Sequence, residues 1–201
     1  MKKLQDIKIK YILDIAIDMF LERSINEVTM KDIALKAEVS EMTLYRYFNK
    51  KQNLVIGAAS MLSEYVFNKY FDLSSAKTGF EQISLFYNSY LKIFRENIVF
   101  YKFIRDFDSF LTLNNYEDIS SYEKGVESFK LIFDKAYQVG VEDGTLKQID
   151  DLDVFYFSTT HSILELCKKL SDKEILKKDL ELSKIQEIKV LINIILIYIK
   201  K

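Results

Sequence analysis

No proline occurs in the 201 residues, and glycine occurs only five times. Chains rich in β-strands reverse direction often, and their tight turns rely on Gly and Pro for the required dihedrals. A chain with almost none of either lacks the punctuation of a sandwich or barrel. Helices lose stability to both residues, so their scarcity favours an all-α fold. The length suits one or two compact domains, and a hydrophobic content of 49% is enough for a sizeable core.

Residues 29–51, TMKDIALKAEVSEMTLYRYFNKK, are the most structured stretch by pattern. Thr29 and Asp32 have the spacing of a capping box, with Ile33, Ala34 and Ala37 following on one apolar stripe. Ala37-Glu38-Val39-Ser40 reads as a turn, with Val39 expected beneath it and Ser40 capping the next helix. In that second helix Leu44 and Phe48 are four apart and face inward. Thr43, Tyr45, Arg46 and Tyr47 are left to point outward or sideways. A short helix of this kind, beside Lys50 and Lys51, suits entry into a major groove. The pattern predicts a helix-turn-helix.

At these residues the chain resembles the TetR family of transcriptional regulators. The family's N-terminal pattern runs from an apolar helix ending in Phe, through Thr and Ile-Ala, to Ala-Gly-Val-Ser, Leu-Tyr-x-His-Phe and Lys. The matches here are Ile12-Leu13, Phe20, Thr29, Ile33-Ala34, Ala37, Val39-Ser40, Thr43-Leu44-Tyr45, Phe48 and Lys51, in register without a gap. Ser24 and Glu38 stand where the family usually has Gly, and Tyr47 where it usually has His. Glu38 falls at a turn position that often needs a positive φ, at a cost of about 1 kcal/mol for a non-Gly residue. By resemblance and geometry, Lys31, Glu41, Met42, Thr43 and Arg46 are candidates for base contacts. Thr29, Tyr45, Tyr47 and Lys51 are candidates for phosphate contacts.

A first helix is expected over 5–23, with Ile12, Ile15, Ala16, Met19 and Phe20 on its core stripe. A fourth, over 51–70, links the DNA-binding domain, 1–51, to a ligand-binding and dimerisation domain, 52–201. Five more are expected over 79–96, 98–113, 122–143, 152–170 and 182–200, with a charged stretch, 171–181, that is partly helical. About nine helices result. Gly140-Val141-Glu142-Asp143-Gly144-Thr145-Leu146 also resembles the family, whose seventh helix often ends in Gly-x-x-x-Gly-x-Leu. Asp150, Asp151 or Asp153 caps the eighth helix.

Aromatic residues crowd the C-terminal half, and helical spacing alone assigns most of them to a bundle core. The resemblance implies a pocket for a small apolar or aromatic effector. Its candidate lining is Met61, Tyr65, Phe86, Tyr90, Phe103, Phe107, Phe133, Tyr137, Phe157 and His161. The stripe Ile185, Ile188, Leu191, Ile192, Ile195, Leu196 and Ile199 is wide for a helix packed on one neighbour. By resemblance, it and the eighth helix form a homodimer interface that pairs two reader helices on a palindromic operator in double-stranded DNA.

His161 and Glu165 share a helical face, but a single His and a single Cys, Cys167, make no metal site, and no cofactor is expected. Without a phosphate loop or a nucleophile–base set, an enzyme ranks last. One cysteine also excludes an internal disulfide and fits a reducing compartment. The apolar tract 190–199 is too short to span a bilayer, so the chain reads as cytoplasmic, without a membrane partner. The net charge is −1, but ten Lys and Arg against eight Asp and Glu in 1–51 give that part +2, and the remainder carries −3. A modest local basic patch suits a dimer on a short operator. The expected function is a homodimeric DNA-binding repressor released by its effector. The alternative is an α-helical small-molecule binding protein without operator binding.

Overall fold

The computed structural model describes residues 2–114, 119–172 and 183–201. The expected partial helix over 171–181 falls largely outside them. Among the described residues there are nine α-helices: α1 (Lys2–Glu22), α2 (Met30–Lys36), α3 (Glu41–Phe48), α4 (Lys51–Tyr70), α5 (Gly79–Glu96), α6 (Ile98–Leu113), α7 (Ser120–Glu142), α8 (Leu152–Leu170) and α9 (Lys184–Ile199). The spans read from sequence for α4, α5, α6 and α8 coincide with these, while α7 starts at Ser120 and α9 at Lys184.

The helices form two compact units, Met1–Tyr65 with Lys102–Val126, and Val66–Tyr101 with Glu127–Lys201. In the first unit α1 buries Ile12, Leu13, Ala16, Ile17, Met19 and Phe20, whereas Ile15 is only half-buried. The core continues through Ile25, Val28, Ile33, Ala34, Leu44, Phe48, Leu54, Val55 and Ala58. Phe103, Phe107 and Phe110 of α6 are buried as well, and Phe103 lies 6.4 Å from the Phe20 ring of α1. On its other side Phe107 meets Tyr122 of α7 at 4.9 Å.

The second unit is built on rings. Phe86 of α5 contacts Phe71 at 5.3 Å and Phe133 of α7 at 5.2 Å, both edge-on, and Phe133 lies 5.0 Å from Tyr156 of α8. Edge-to-face pairs of this kind place positive ring edges on negative faces. The α5 N-terminus abuts α7 so closely that a Cβ on Gly79 would lie 2.0 Å from the Gly140 nitrogen. That contact requires Gly at 79. The Gly79 N–H donates to Asp143 Oδ2 (2.8 Å) and the Phe80 N–H to Thr145 Oγ1 (3.1 Å), so the segment after α7 caps α5 from outside. Thr78 and Glu81 complete the cap from inside as a capping box. Gly144 adopts φ 75°, which glycine reaches without strain. Leu146 then pairs with Lys200, and Lys147 N–H donates to the Ile199 carbonyl, tying the end of α9 to this loop. Asp151 is the residue that caps α8.

Candidate nucleic-acid interface

Two capped helices and one strained turn make the site. The Thr29 N–H and hydroxyl both donate to Asp32 Oδ2, at 2.9 and 2.8 Å, while Thr29 Oγ1 accepts from the Asp32 N–H at 3.1 Å. The Thr29 backbone N–H, then its hydroxyl, and the nearby Arg23 and Lys31 hold the Asp32 carboxyl below its ordinary range. α2 lasts seven residues. At its end Ala37 and Val39 N–H groups bond back to the Ile33 and Ala34 carbonyls, and Glu38 sits at φ 54°. The positive φ expected from the family's Gly position is therefore adopted by a glutamate. Val39 is half-buried rather than sealed under the turn. Ser40 Oγ accepts from the Thr43 N–H at 3.2 Å and caps α3.

In α3, Leu44 and Phe48 face the core and fix the rotation of the helix. Met42 is consequently 83% exposed and Tyr45 49% exposed. Glu41 and Arg46 are exposed too, while Thr43 and Tyr47 are half-buried. Ser40, Met42, Thr43, Tyr45 and Arg46 border one open surface recess. The Arg46 guanidinium lies 5.1 Å over the Tyr47 ring, which supports its planar fork, and its Nη2 donates to the Tyr47 hydroxyl at 3.5 Å. Thr43 Oγ1 is paired with Ser40 Oγ at 3.0 Å. Lys31 and Thr29 are exposed on and before α2. Asn49 follows at φ 63° and ψ −43°, the centre of a γ-turn closed by the Lys50 N–H on the Phe48 carbonyl (2.7 Å), a second positive-φ residue that sequence reading missed.

Lys51 behaves differently from the other candidates. Its ammonium donates to the Ile25 carbonyl at 2.5 Å and lies 5.7 Å over the Phe110 ring of α6. Burial lowers its pKa, with Asp32 pulling it back up.

The ten effector candidates are divided between the units. In the first, Met61 is half-buried and Tyr65 exposed on α4, whereas Phe103 and Phe107 are buried with parallel rings 6.2 Å apart. In the second, Phe86, Tyr90, Phe133 and Tyr137 are buried. The Tyr137 hydroxyl accepts from the Ile149 N–H at 2.7 Å and donates to the Lys147 carbonyl at 3.3 Å. Phe157 and His161 instead lie on the outer side of α8, with ring centroids 5.7 Å apart. Sequence reading passed over Tyr87, fully buried with its hydroxyl 2.7 Å from Thr159 Oγ1. On α9, Ile188, Ile192, Ile195, Leu196 and Ile199 are buried within the chain, whereas Val190, Ile194, Ile197 and Tyr198 are exposed. The stripe read from sequence is thus the inward face, with Ile185 and Leu191 half-buried at its border, and the separate outward apolar face was not identified from sequence. Among the described residues no helix is long and apolar enough to cross a membrane, and no three His, Cys, Asp or Glu side chains group as a metal site.

Comparison with known proteins places this geometry. The sequence profile of "Bacterial regulatory proteins, tetR family" matches residues 12–58, which span α1 to the start of α4. An uncharacterized HTH-type transcriptional regulator, YvkB of Bacillus subtilis (strain 168), is 40% identical over 60 residues; the match covers 30% of this chain and 30% of that protein. Solved structures are similar along almost the whole chain. The fatty acid degradation regulator FadR from Bacillus halodurans has a TM-score of 0.69 at 17% identity, covering 94% of each chain. FadR from Bacillus subtilis, solved in complex with stearoyl-CoA, has a TM-score of 0.68 at 14% identity, covering 93% of this chain and 97% of that one. The ketosteroid regulator KstR2 of Mycobacterium tuberculosis has a TM-score of 0.63 at 19% identity, covering 96% and 95%. At such identities the structures establish a shared fold, and the capped helix-turn-helix lies inside residues 12–58, the part of the chain that matches the tetR-family profile.

Proposed function

We propose that this chain is a homodimeric, sequence-specific DNA-binding repressor that leaves a palindromic operator when a small apolar or aromatic molecule enters its C-terminal helices. The carrying observation is the rotation of α3. With Leu44 and Phe48 buried, Met42, Tyr45 and Arg46 are presented together around an open recess. In a major groove Arg46 reads a guanine edge, Met42 packs on a thymine methyl, and Lys31, Glu41 and Thr43 reach neighbouring bases. Thr29, Tyr45 and Tyr47 hold phosphates and set register. Residues 1–51 then form the reading domain, α4 the link, and 52–201 the ligand-binding and dimerisation domain.

Two readers need a dimer, and α8 and α9 supply a surface for it. Val154 (60% exposed) and Phe157 on α8, with Ile194 and Ile197 (76% exposed) on α9, leave large apolar side chains in water. A second copy of the same face covers them about a two-fold axis. The stearoyl-CoA complex of the B. subtilis FadR supports an apolar effector here, and the dense ring clusters fit that class. A regulator of this kind works in the cytoplasm.

The test is selection of bound duplexes from a random DNA pool, followed by gel retardation at several salt concentrations. Specific, salt-dependent retention is expected, with Arg46→Ala weakening it by about 1–3 kcal/mol and relaxing preference at one position. The rival reading, a helical ligand-binding protein without operator binding, draws on the strained, negatively charged Glu38 in the turn. Failure to enrich any sequence would favour that rival.

A further inference from the structure

The backbone of Ile25, in the turn between α1 and α2, is held at both its N–H and its carbonyl by side chains from elsewhere in the chain. Its N–H donates to Asp106 Oδ2 of α6 at 3.3 Å, and its carbonyl accepts from Lys51 Nζ of α4 at 2.5 Å. The Ile25 side chain is fully buried. Phe103, Asp106 and Phe110 succeed one another at helical spacing, so they share a face of α6. That face meets Phe20 of α1, the Ile25 peptide and the Lys51 ammonium in turn. α1, the α1–α2 turn and the start of α4 therefore all meet α6 along one face, inside one compact unit.

We propose that Lys51 governs operator affinity as a positioning residue, by locking the Ile25 carbonyl to α4 opposite Asp106, rather than as a phosphate contact. A lysine that clamps phosphate at a helix N-terminus keeps its ammonium in solvent, directed away from the fold. Here it is directed inward, partly desolvated, with a carbonyl and a ring as partners. Asp106 is the matching positioning residue from the other side. The two hydrogen bonds hold the successive peptides on either side of the Ile25 Cα, so losing either frees the α1–α2 turn and the angle at which α2 and α3 are presented.

This inference rests on the operator-binding reading above, and salt dependence separates the two. Each phosphate neutralised contributes about 0.9 to the slope of log K against log salt. The full-length protein and its Lys51→Met and Asp106→Ala variants are titrated against the selected operator duplex across a salt series. Both variants are expected to bind at least about tenfold more weakly, since each protomer loses a charge-assisted hydrogen bond, with the parent's salt slope kept. The double variant is expected to be no weaker than the worse single one. A slope reduced by about 1.8 in Lys51→Met, one phosphate per protomer, with Asp106→Ala binding like the parent, overturns the inference and leaves the repressor reading intact. No specific binding by the parent overturns both. If Lys51→Met does not fold, Asp106→Ala decides alone: weaker binding at unchanged slope supports the junction, and parental affinity overturns it.

Discussion

In the reader unit the decisive contacts are polar and mostly close in sequence: Thr29 with Asp32, Ser40 with Thr43, and a turn closed by backbone bonds onto Ile33 and Ala34. In the bundle unit they are aromatic and distant: Phe71 against Phe86, Phe86 against Phe133, and the Gly79 backbone pressed on Gly140. Hydrogen-bonded caps fix direction at about 1 kcal/mol each, whereas close packing resists any added volume. The reader unit gains orientation from its contacts, and the bundle gains rigidity. Steric change should therefore injure the bundle most, and polar deletion the reader.

The largest effect is expected at Gly79. An added methyl would meet the Gly140 backbone, which cannot rotate aside as a side chain can. Gly79→Ala is expected to cost about 3 kcal/mol, the upper end for overpacking, lowering Tm by roughly 6–12 °C for a chain of this size. Gly125 in α7 is the control, because a Cβ there meets nothing within 4 Å. Gly125→Ala is expected to stabilise by about 0.5–1 kcal/mol through helix propensity alone. Thermal unfolding of both variants checks the pair; equal effects would remove the Gly79–Gly140 contact as a constraint.

That contrast also explains what was legible in the sequence. Thr29, Asp32, Ser40 and Glu38 could be read because a cap or a turn is a pattern of a few consecutive residues, and its outcome is local. The helix spans followed from the same kind of pattern. The outward face of α9 was not legible, since Val190, Ile194 and Ile197 repeat at the same helical spacing as the buried Ile188, Ile192 and Ile195. Asp106 gave no signal either, because its partner, the Ile25 N–H, is a backbone group 81 residues away. Tyr87 and Tyr137 look alike in sequence, and only the fold directs one hydroxyl to Thr159 and the other to the loop after α7.

The two capping boxes offer a matched comparison at the next level. Thr29→Ala and Thr78→Ala remove the same chemistry from α2 and α5, each at about 1 kcal/mol of stability. α2 has seven residues and α5 has eighteen, so the shorter helix has fewer internal bonds with which to hold its first turn. Thr29→Ala is expected to weaken operator binding as well as folding, and Thr78→Ala folding only. Urea unfolding together with gel retardation separates them. Equal loss of operator affinity in both would mean that the reader is not set by its own caps.

Acid is a weaker and more distributed lever. Among the described residues, Asp32 in the reader unit and Asp72, Glu81 and Asp143 in the bundle all have carboxyls held below their ordinary values of 3.8 or 4.5. The leading causes are the Lys77 N–H for Glu81, and the hydroxyls of Ser74 for Asp72 and Thr145 for Asp143. A depressed folded pKa gives stability that is present above the unfolded value and lost as pH falls through the folded one. The window here opens below about pH 4.5, and the bundle has more such groups than the reader. Hydrogen exchange at pH 5 and pH 3.5 is expected to show the start of α5 losing protection before α2. In Glu81→Gln the acid-dependent part of that loss becomes smaller.

Glu38 is where the smallest effect is expected, and where strain and charge can be told apart. A left-handed φ costs a residue with a Cβ about 1 kcal/mol, so Glu38→Gly relieves that amount in the folded state. Glycine also enlarges the unfolded ensemble, which takes back about half of it. The net gain in stability is then about 0.5 kcal/mol, at the edge of what thermal unfolding resolves. Glu38→Gln keeps the strain and removes only the negative charge, so its stability should match the parent's. Against operator DNA the two variants should behave alike, both binding more tightly at low salt, because each removes one acid from the turn before α3. The gain should shrink as salt rises toward physiological strength, where the screening length is about 8 Å. A gain seen in Glu38→Gly alone would instead assign the effect to the turn's geometry.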